Sequence, residues 1–401
     1  MTLNLAFFAD SHIDYRTRVK NTSKGINVRV QDGYDALRET ISQIINNDVK
    51  IDAVLHGGDL FHTSQPTIRG IATVNHYLRL LNKAGIPFYG LAGNHDATDI
   101  TADMASVAAI HDPERNIHAL YEPYKVYELA DGVRLHSMSH HGLHEDKAPE
   151  VNVSSDVLNI FSTHGAALDP KNQTLLRCMD SPREQIIPVE LITDDMFILK
   201  LLGHYHSRFP VGGPTLNTWY SGSAIRRGFT DDPGDRGWLL VQIEPNGHVT
   251  VTPKNISQRP QFDLHSIDAT DLTPSEVMNL MEINLEGTTE LDKEPIVRQR
   301  ILNANRALRE GLDQNKISEM TAHTLSWQLE YPRFDIAADD SESVKASLQS
   351  DRKIDVIDNY RRFVENAAKQ VPEQYRDIVI KDAEKYLSEA RDLSELEGNT
   401  H

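Results

Sequence analysis

Five short clusters in this chain carry residue types that hold metals and move protons. They are Asp10-Ser11-His12, Gly57-Gly58-Asp59-Leu60-Phe61-His62, Gly93-Asn94-His95-Asp96, Thr163-His164-Gly165 and Gly203-His204-Tyr205-His206. Carboxylate, imidazole and carboxamide donors suit divalent cations of intermediate hardness such as manganese, iron or zinc, whereas an all-oxygen set would suit magnesium or calcium. The donors are too many for one ion. Two ions sharing a carboxylate can bind both non-bridging oxygens of a phosphate and generate hydroxide between them, the two-metal route to phosphoester hydrolysis. Any one cluster alone reads as a strand-end histidine or an Asn-centred turn. Five in the same context point to a single site. Glycines beside Asp59, Asn94, His164 and His204 let the backbone turn sharply and leave room for metal and phosphate.

Each cluster follows a strand-like apolar run, at residues 3–9, 53–55, 87–91, 157–162 and 196–202. Between the first two runs lies a helical pattern with Tyr34, Leu37, Ile41, Ile44 and Ile45 on one face. Between the next two lies another, with Ile68, Ile71, Val74, Leu78 and Leu81. The β-α-β-α-β order predicts a layered sheet with helices on its faces. Ligands collect at the carboxyl ends of strands in such sheets, so the clusters converge on one rim. The run 238–243 reads as a late strand that closes this unit near residue 255. A second unit opens with the capping box Thr273-Pro274-Ser275-Glu276, which predicts a helix through Met281. Strand-like runs at 296–302 and 324–331, with a helical stretch at 303–311 between them, make it a small α+β domain. After Asp339-Asp340 the chain reads as helices. Ile354, Ile357, Tyr360, Val364 and Ala367 share one face, and Ile380, Ala383, Leu387 and Ala390 another. Such stripes either pack on the body or wait for a partner.

Asp-x-His, Gly-Asp, Gly-Asn-His-Asp, a later His and Gly-His-x-His, in that order, resemble the calcineurin-like metallophosphoesterase superfamily. Within it, Gly58-Asp59-Leu60-Phe61-His62 with Pro66 shortly after, Gly93-Asn94-His95-Asp96, and Tyr220-Ser221-Gly222-Ser223 resemble the SbcD (Mre-eleven) type DNA repair nuclease subunits. The motifs span residues 1 to 243; beyond residue 260 the likeness is one of architecture. The resemblance implies an α/β fold, a layered β-sandwich flanked by helices at 1–258, followed by a small α+β capping domain at 259–337 and a C-terminal helical tail at 338–401. It places Asp10, His12, Asp59 and His206 on one metal and Asp59, Asn94, His164 and His204 on the other, with Asp59 as the bridge. His95 then protonates the leaving oxygen or stabilises phosphate charge, Asp96 fixes the His95 tautomer, and His62 is a second non-ligand histidine near the phosphate. The implied metal is Mn2+. The implied activity is that of a DNA exonuclease and endonuclease in a complex for double-strand break repair and recombination. Its tail would dock on an SbcC-like (Rad-fifty-like) SMC-type ATPase, and the chain would form a homodimer. Two other readings share these motifs. One is a metallophosphatase or cyclic-nucleotide phosphodiesterase; the other is a non-catalytic DNA-end scaffold, which the full donor set gives no reason to prefer.

Composition is that of a globular protein of two or three domains, with 401 residues, 39% hydrophobic and 25% charged. Wholesale disorder is excluded. The net charge of −18, from 41 basic and 59 acidic residues, taken alone opposes a nucleic-acid partner. Residues 1–100, however, carry ten acids and ten bases, and Asp10, Asp59 and Asp96 are among those acids. Two divalent ions would add positive charge beside them. Between Tyr15 and Gln31 stand Arg16, Arg18, Lys20, Lys24 and Arg29 with no acid, either a solvated loop or an arm on the DNA backbone. Arg226 and Arg227 are further candidate DNA contacts. His140, His141 and His144 lack strand-end carboxylate partners and read as a loop or substrate wall rather than a metal site. The single cysteine, Cys178, excludes an internal disulfide and favours a reducing compartment. The start MTLNLAFFAD lacks a signal peptide's basic region, and no apolar run approaches the roughly 18 residues of a membrane span. Cytoplasmic location without a membrane partner is the expectation.

Overall fold

Leu3, Leu5 and Phe7 of strand β1 (Leu3–Phe8) enter one hydrophobic core, while Ala6 and Phe8 enter a second core on the opposite face. A strand buried on both faces is an inner layer. The computed structural model describes residues 1–96, 105–143, 151, 153–168, 185–213 and 216–332, and β1 lies in the middle of the first of its sheets. That sheet runs β12-β11-β1-β2-β3-β4, with β2 (Ala53–His56), β3 (Phe88–Leu91) and β4 (Ile117–Leu120) parallel to β1, and β11 (Gly237–Ile243) antiparallel to both β1 and β12 (Val249–Asn255).

A second six-stranded sheet runs β5-β6-β7-β8-β10-β9. It comprises β5 (Lys125–Ala130), β6 (Val133–Met138), β7 (Leu158–His164), β8 (Phe197–Gly203), β9 (Phe209–Val211) and β10 (Thr218–Tyr220). Leu5, Phe7, Leu55 and Leu91 from the first sheet share a core with Leu135, Ile160, Leu199 and Leu201 from the second, so the two sheets form a sandwich. Helices α1 (Val28–Ile45) and α2 (Ile68–Lys83) cover the outer face of the first sheet. Tyr34, Leu37, Ile41 and Ile44 of α1 and Val74, Leu78 and Leu81 of α2 are buried there, as the periodicity predicts. Ile68 departs from the predicted face. It directly follows the N-cap Thr67, where the helix has not yet turned inward, and is 87% exposed. A short helix, α3 (Val189–Thr193), puts Ile192 against the outer face of the second sheet.

The first three strand-like runs are β1, β2 and β3, but the last two are β7 and β8, in the other sheet. The single predicted rim is therefore built from strand ends of two facing sheets. Strands β5, β9 and β12 left little signal in the sequence, since they are short or half-solvated edge strands.

A third sheet has β15 (Ile296–Leu302) at its centre, with β13 (Gln261–Asp263) and β14 (Ile267–Asp268) on one side and β16 (Ser326–Glu330) on the other, all parallel to it. The predicted capping box forms in full at α4 (Pro274–Leu285), which continues past Met281. Helix α5 (Arg306–Gly311) starts three residues later than its pattern suggested because Asn305 caps it, and α6 (Gln314–Met320) follows from a cap at Asp313. Ile267, Val277, Met281, Ile301 and Leu308 form the core of this unit. Ile296 and Leu325 also pack on Val28 of α1. Residues 333–401, with Asp339-Asp340 and both predicted tail helices, lie outside the described residues. Among the described residues no helix is long and apolar enough to cross a membrane.

Candidate metal centre

Backbone hydrogen bonds lace the loops after β1 and β2 together. Asp10 N–H donates to the Gly58 carbonyl at 3.0 Å, His12 N–H to Asp59 at 2.9 Å and Ile13 N–H to Leu60 at 2.9 Å. Asp10, His12 and Asp59 take left-handed φ angles of 52°, 44° and 55°, and His204 after β8 takes 112°. Each such residue costs about 1–3 kcal/mol and persists only where its surroundings over-determine it. Gly58, at φ 101°, has no alternative: a Cβ there would lie 2.3 Å from His164 Nδ1.

The donor atoms then meet. His12 Nε2 lies 3.2 Å from His206 Nε2 and 3.6 Å from Asp59 Oδ2. The same Asp59 oxygen is 3.5 Å from His164 Nε2, which is 3.0 Å from Asn94 Oδ1. Ligands bound at about 2.1 Å with angles of 90–109° stand about 3.0–3.4 Å apart; the 3.0 and 3.2 Å separations fall in that range and the 3.5 and 3.6 Å ones lie just beyond it. Asp10 belongs to two triads of donors, one with His12 and His206, the other with Asp59 and His164. Both Asp10 oxygens accept from the His204 N–H at 3.1 Å, and the His204 ring centroid lies 5.4 Å from that of His164. Six of the seven expected ligand residues, Asp10, His12, Asp59, Asn94, His164 and His206, therefore bring donor atoms together, with the His204 ring beside them, and this mixed oxygen and nitrogen set suits divalent cations.

The electrostatics show what cations would balance. Burial, with Asp59 alongside, pushes the Asp10 carboxyl up to about 7. Burial would raise Asp59 as well, but the neighbouring His164 and His12 imidazoles hold it well below the usual carboxylate range. Burial would lower His164, yet Asp59 and Asp10 outweigh it and raise that imidazole to about 9. His12, fully buried, is driven well below its ordinary value. A metal-binding imidazole must be neutral, so ions entering here would displace the His164 proton.

His95 and His62 stack at 5.0 Å between centroids with a 21° tilt, and His95 meets the His12 ring edge-on at 4.8 Å. His12, His62 and His95 also bring ligand nitrogens within 4.8 Å of one another. The predicted role of Asp96 needs correction. His95 Nδ1 is bonded to the His62 carbonyl at 2.8 Å, which makes Nδ1 the donor and leaves Nε2 for chemistry. Asp96 instead accepts from the backbone N–H groups of Leu60, Phe61 and Gly93 and from Ser106. It is fully buried, which pushes its carboxyl up to about 7, and it pins the loops that carry Asp59 and Asn94.

The basic arm is shorter than its sequence suggests. Arg16, Arg18 and Lys24 are exposed. Lys20 is exposed but pairs with Glu294. Arg29 is the second residue of α1, 1% exposed, and donates to Asp32 at 2.7 Å, so it is a structural ion pair and not an open contact. Arg226 donates to the carbonyls of Asp231 and Gln261, and the Arg227 guanidinium lies 5.9 Å over the Tyr15 ring. His140 is buried behind the centre, its Nδ1 2.9 Å from the His164 carbonyl; His144 lies outside the described residues.

Two residues support the centre in roles that the sequence did not assign, although Tyr220 belongs to the Tyr220-Ser221-Gly222-Ser223 stretch. The buried Tyr220 hydroxyl donates to Gly165 C=O and accepts from Ala167 N–H, both at 2.8 Å, fixing the loop after His164. The Asp231 carboxylate lies 3.0 Å from His206 Nδ1. No spacing rule could announce either, because each partner comes from a different loop.

A family model described as Calcineurin-like phosphoesterase matches residues 3–238. The DNA double-strand break repair protein Mre11 of Sulfurisphaera tokodaii is 24% identical over 396 residues, covering 95% of this chain and 94% of that protein. Proteins of the same name are more similar over shorter stretches. That of Methanosarcina mazei is 36% identical over 93 residues, 23% of this chain and 14% of its own. That of Halobacterium salinarum is 44% identical over 70 residues, 18% of each. The match to the family model runs from β1 into β11 and holds every strand-end cluster of the centre, and the chain belongs to the calcineurin-like phosphoesterase family.

Proposed function

We propose that this protein is a metal-dependent DNA exonuclease and endonuclease that hydrolyses phosphodiester bonds, and that it is the nuclease subunit of an SbcCD-like DNA end-processing complex. The observation that carries the hydrolytic reading is Asp59 Oδ2, placed 3.6 Å from His12 Nε2 and 3.5 Å from His164 Nε2, where one carboxylate can serve two cations. DNA is favoured over a small ester by the whole-length match to a protein named for DNA double-strand break repair, which continues beyond the phosphoesterase region. Exposed Arg16, Arg18 and Lys24, on the loop that leaves His12, supply charge for a phosphate backbone.

In this reading Asp10, His12, Asp59 and His206 hold one ion, and Asp59, Asn94, His164 and His204 the other. The mixed oxygen and nitrogen set suits Mn2+. When bound, the ions neutralise phosphate oxygens and lower the pKa of water. The chain's own residues do the rest. The His62 carbonyl holds His95 Nδ1–H, so a proton passed to the leaving oxygen travels through Nε2. His62, stacked on His95, walls that side of the site. Residues 259–337 act as a cap that steers DNA, and residues 338–401 dock on the SbcC-like (Rad-fifty-like) ATPase of a complex built on a homodimer.

Labelled duplex, single-stranded DNA and p-nitrophenyl phosphate, each with Mn2+, test the reading. DNA cleavage that disappears in Asp59→Ala supports it. Hydrolysis of p-nitrophenyl phosphate without DNA cleavage replaces it with a metallophosphatase or cyclic-nucleotide phosphodiesterase. Equal ATPase affinity of the full chain and of one ending at residue 338 removes the docking role.

A further inference from the structure

The Asp231 carboxylate faces two ways. Oδ1 lies 3.0 Å from His206 Nδ1, and Oδ2 accepts the Arg227 backbone N–H at 2.8 Å. The Asp231 and His206 side chains are 10% and 13% exposed, so water competes little for either bond. A carboxylate can only accept, so the His206 proton is on Nδ1 and the Nε2 lone pair is bare. That lone pair points to within 3.2 Å of His12 Nε2, in the triad with Asp10. The His206 backbone is fixed separately: its carbonyl accepts from Ser223 N–H and from the Arg236 guanidinium. The peptide is thus anchored by other groups, and Asp231 is the partner recorded on Nδ1 of the ring.

We propose that Asp231 is the positioning residue of His206, orienting its imidazole and fixing its tautomer so that Nε2 completes the site of Asp10, His12 and Asp59, and that it thereby sets the affinity of one of the two ions and not of the other. Carboxylate–histidine–metal arrangements of this kind raise ligand basicity and hold the ring; losing the carboxylate costs about 10–100-fold in metal affinity. The same carboxylate also ties the ligand ring to the loop of Arg226 and Arg227. The Tyr15 hydroxyl closes that loop by donating to the Arg227 carbonyl at 2.8 Å. Asp231 therefore joins metal occupancy to the placement of Arg227 beside the site. The inference rests on the two-ion reading above.

The test is calorimetric titration of the full chain with Mn2+, together with 15N spectra of histidine-labelled, metal-free protein. Two ions are expected to bind the wild type. Asp231→Ala should weaken one by about 10–100-fold and leave the other within about threefold, an internal control for folding. Asp231→Asn, which keeps an oxygen acceptor but loses the charge, should fall between. The His206 ring should be the Nδ1–H tautomer in the wild type and a mixture in Asp231→Ala. Equal weakening of both ions, no weakening of either, or an unchanged tautomer overturns the role of Asp231. A wild type that binds a single ion overturns the two-ion reading instead, and the tautomer still decides the role of Asp231.

Discussion

Asp32 of α1 receives a forked pair of hydrogen bonds from Arg259, from Nε at 2.8 Å and from Nη2 at 2.9 Å, across 227 residues of chain. The same carboxylate accepts from Arg29, and Arg259 continues to the Glu294 carbonyl. One buried acid thus joins the helix beside the metal-bearing loops to the start of the third sheet. Removing one partner of a buried pair leaves an uncompensated charge, and here it leaves two guanidinium groups. Asp32→Ala should destabilise the protein by about 3–5 kcal/mol in urea unfolding. A loss below about 1 kcal/mol, the scale of a surface pair, would show that the fork contributes little.

His95→Asn tests the division between ligands and proton donors. Asparagine can keep a hydrogen bond to the His62 carbonyl but has no titratable Nε2. Cleavage should fall about 10²–10⁴-fold while two Mn2+ ions still bind. Metal content that drops together with activity would make His95 a ligand.

Tyr220→Phe removes a hydroxyl that both donates to Gly165 and accepts from Ala167 in a fully buried place. The Ala167 N–H is then buried without its partner, a cost of about 1–3 kcal/mol. Chemical unfolding should show that loss, and Mn2+ affinity should weaken because His164 precedes the loosened turn. Unchanged stability would mean that water replaces the hydroxyl.

His56 should make the metal-free protein acid-sensitive. It is fully buried beside Phe8 and Phe88, with Nε2 2.9 Å from Ser11 Oγ, and burial lowers its pKa to about 3. The unfolded chain binds a proton there near 6.5, so between 6.5 and about 3 the unfolded state holds more protons and stability falls as pH falls. The slope from this group approaches about 1.4 kcal/mol per pH unit within that window. Metal-free His56→Gln should lose stability less steeply than wild type from pH 6.5 to 4.5. Parallel curves would assign the sensitivity to other groups.

Much of this molecule is legible in its sequence where the signal is local. An apolar run marked β1, and helical spacing placed Leu37, Ile41 and Ile44 on the core face of α1. Thr273 and Glu276, three residues apart, encode their own capping box. The strand-end glycines and donors were readable because each loop carries its chemistry within three to six residues.

Other relationships have no spacing to read and arise only in the folded chain. The five strand ends divide between two sheets, because β7 and β8 share with β1 a core that neither sheet could bury alone. Arg29 left the basic arm because α1 begins at Val28 and Asp32, one turn on, draws the guanidinium inward. Asp96 turned from the His95 ring to three backbone N–H groups, since buried donors must find acceptors. Asp231 met His206 because a loop 25 residues further along folds back across the centre. Local patterns follow from neighbours along the chain, whereas charge pairing, ring orientation and left-handed donor backbones depend on which distant segments exclude water together.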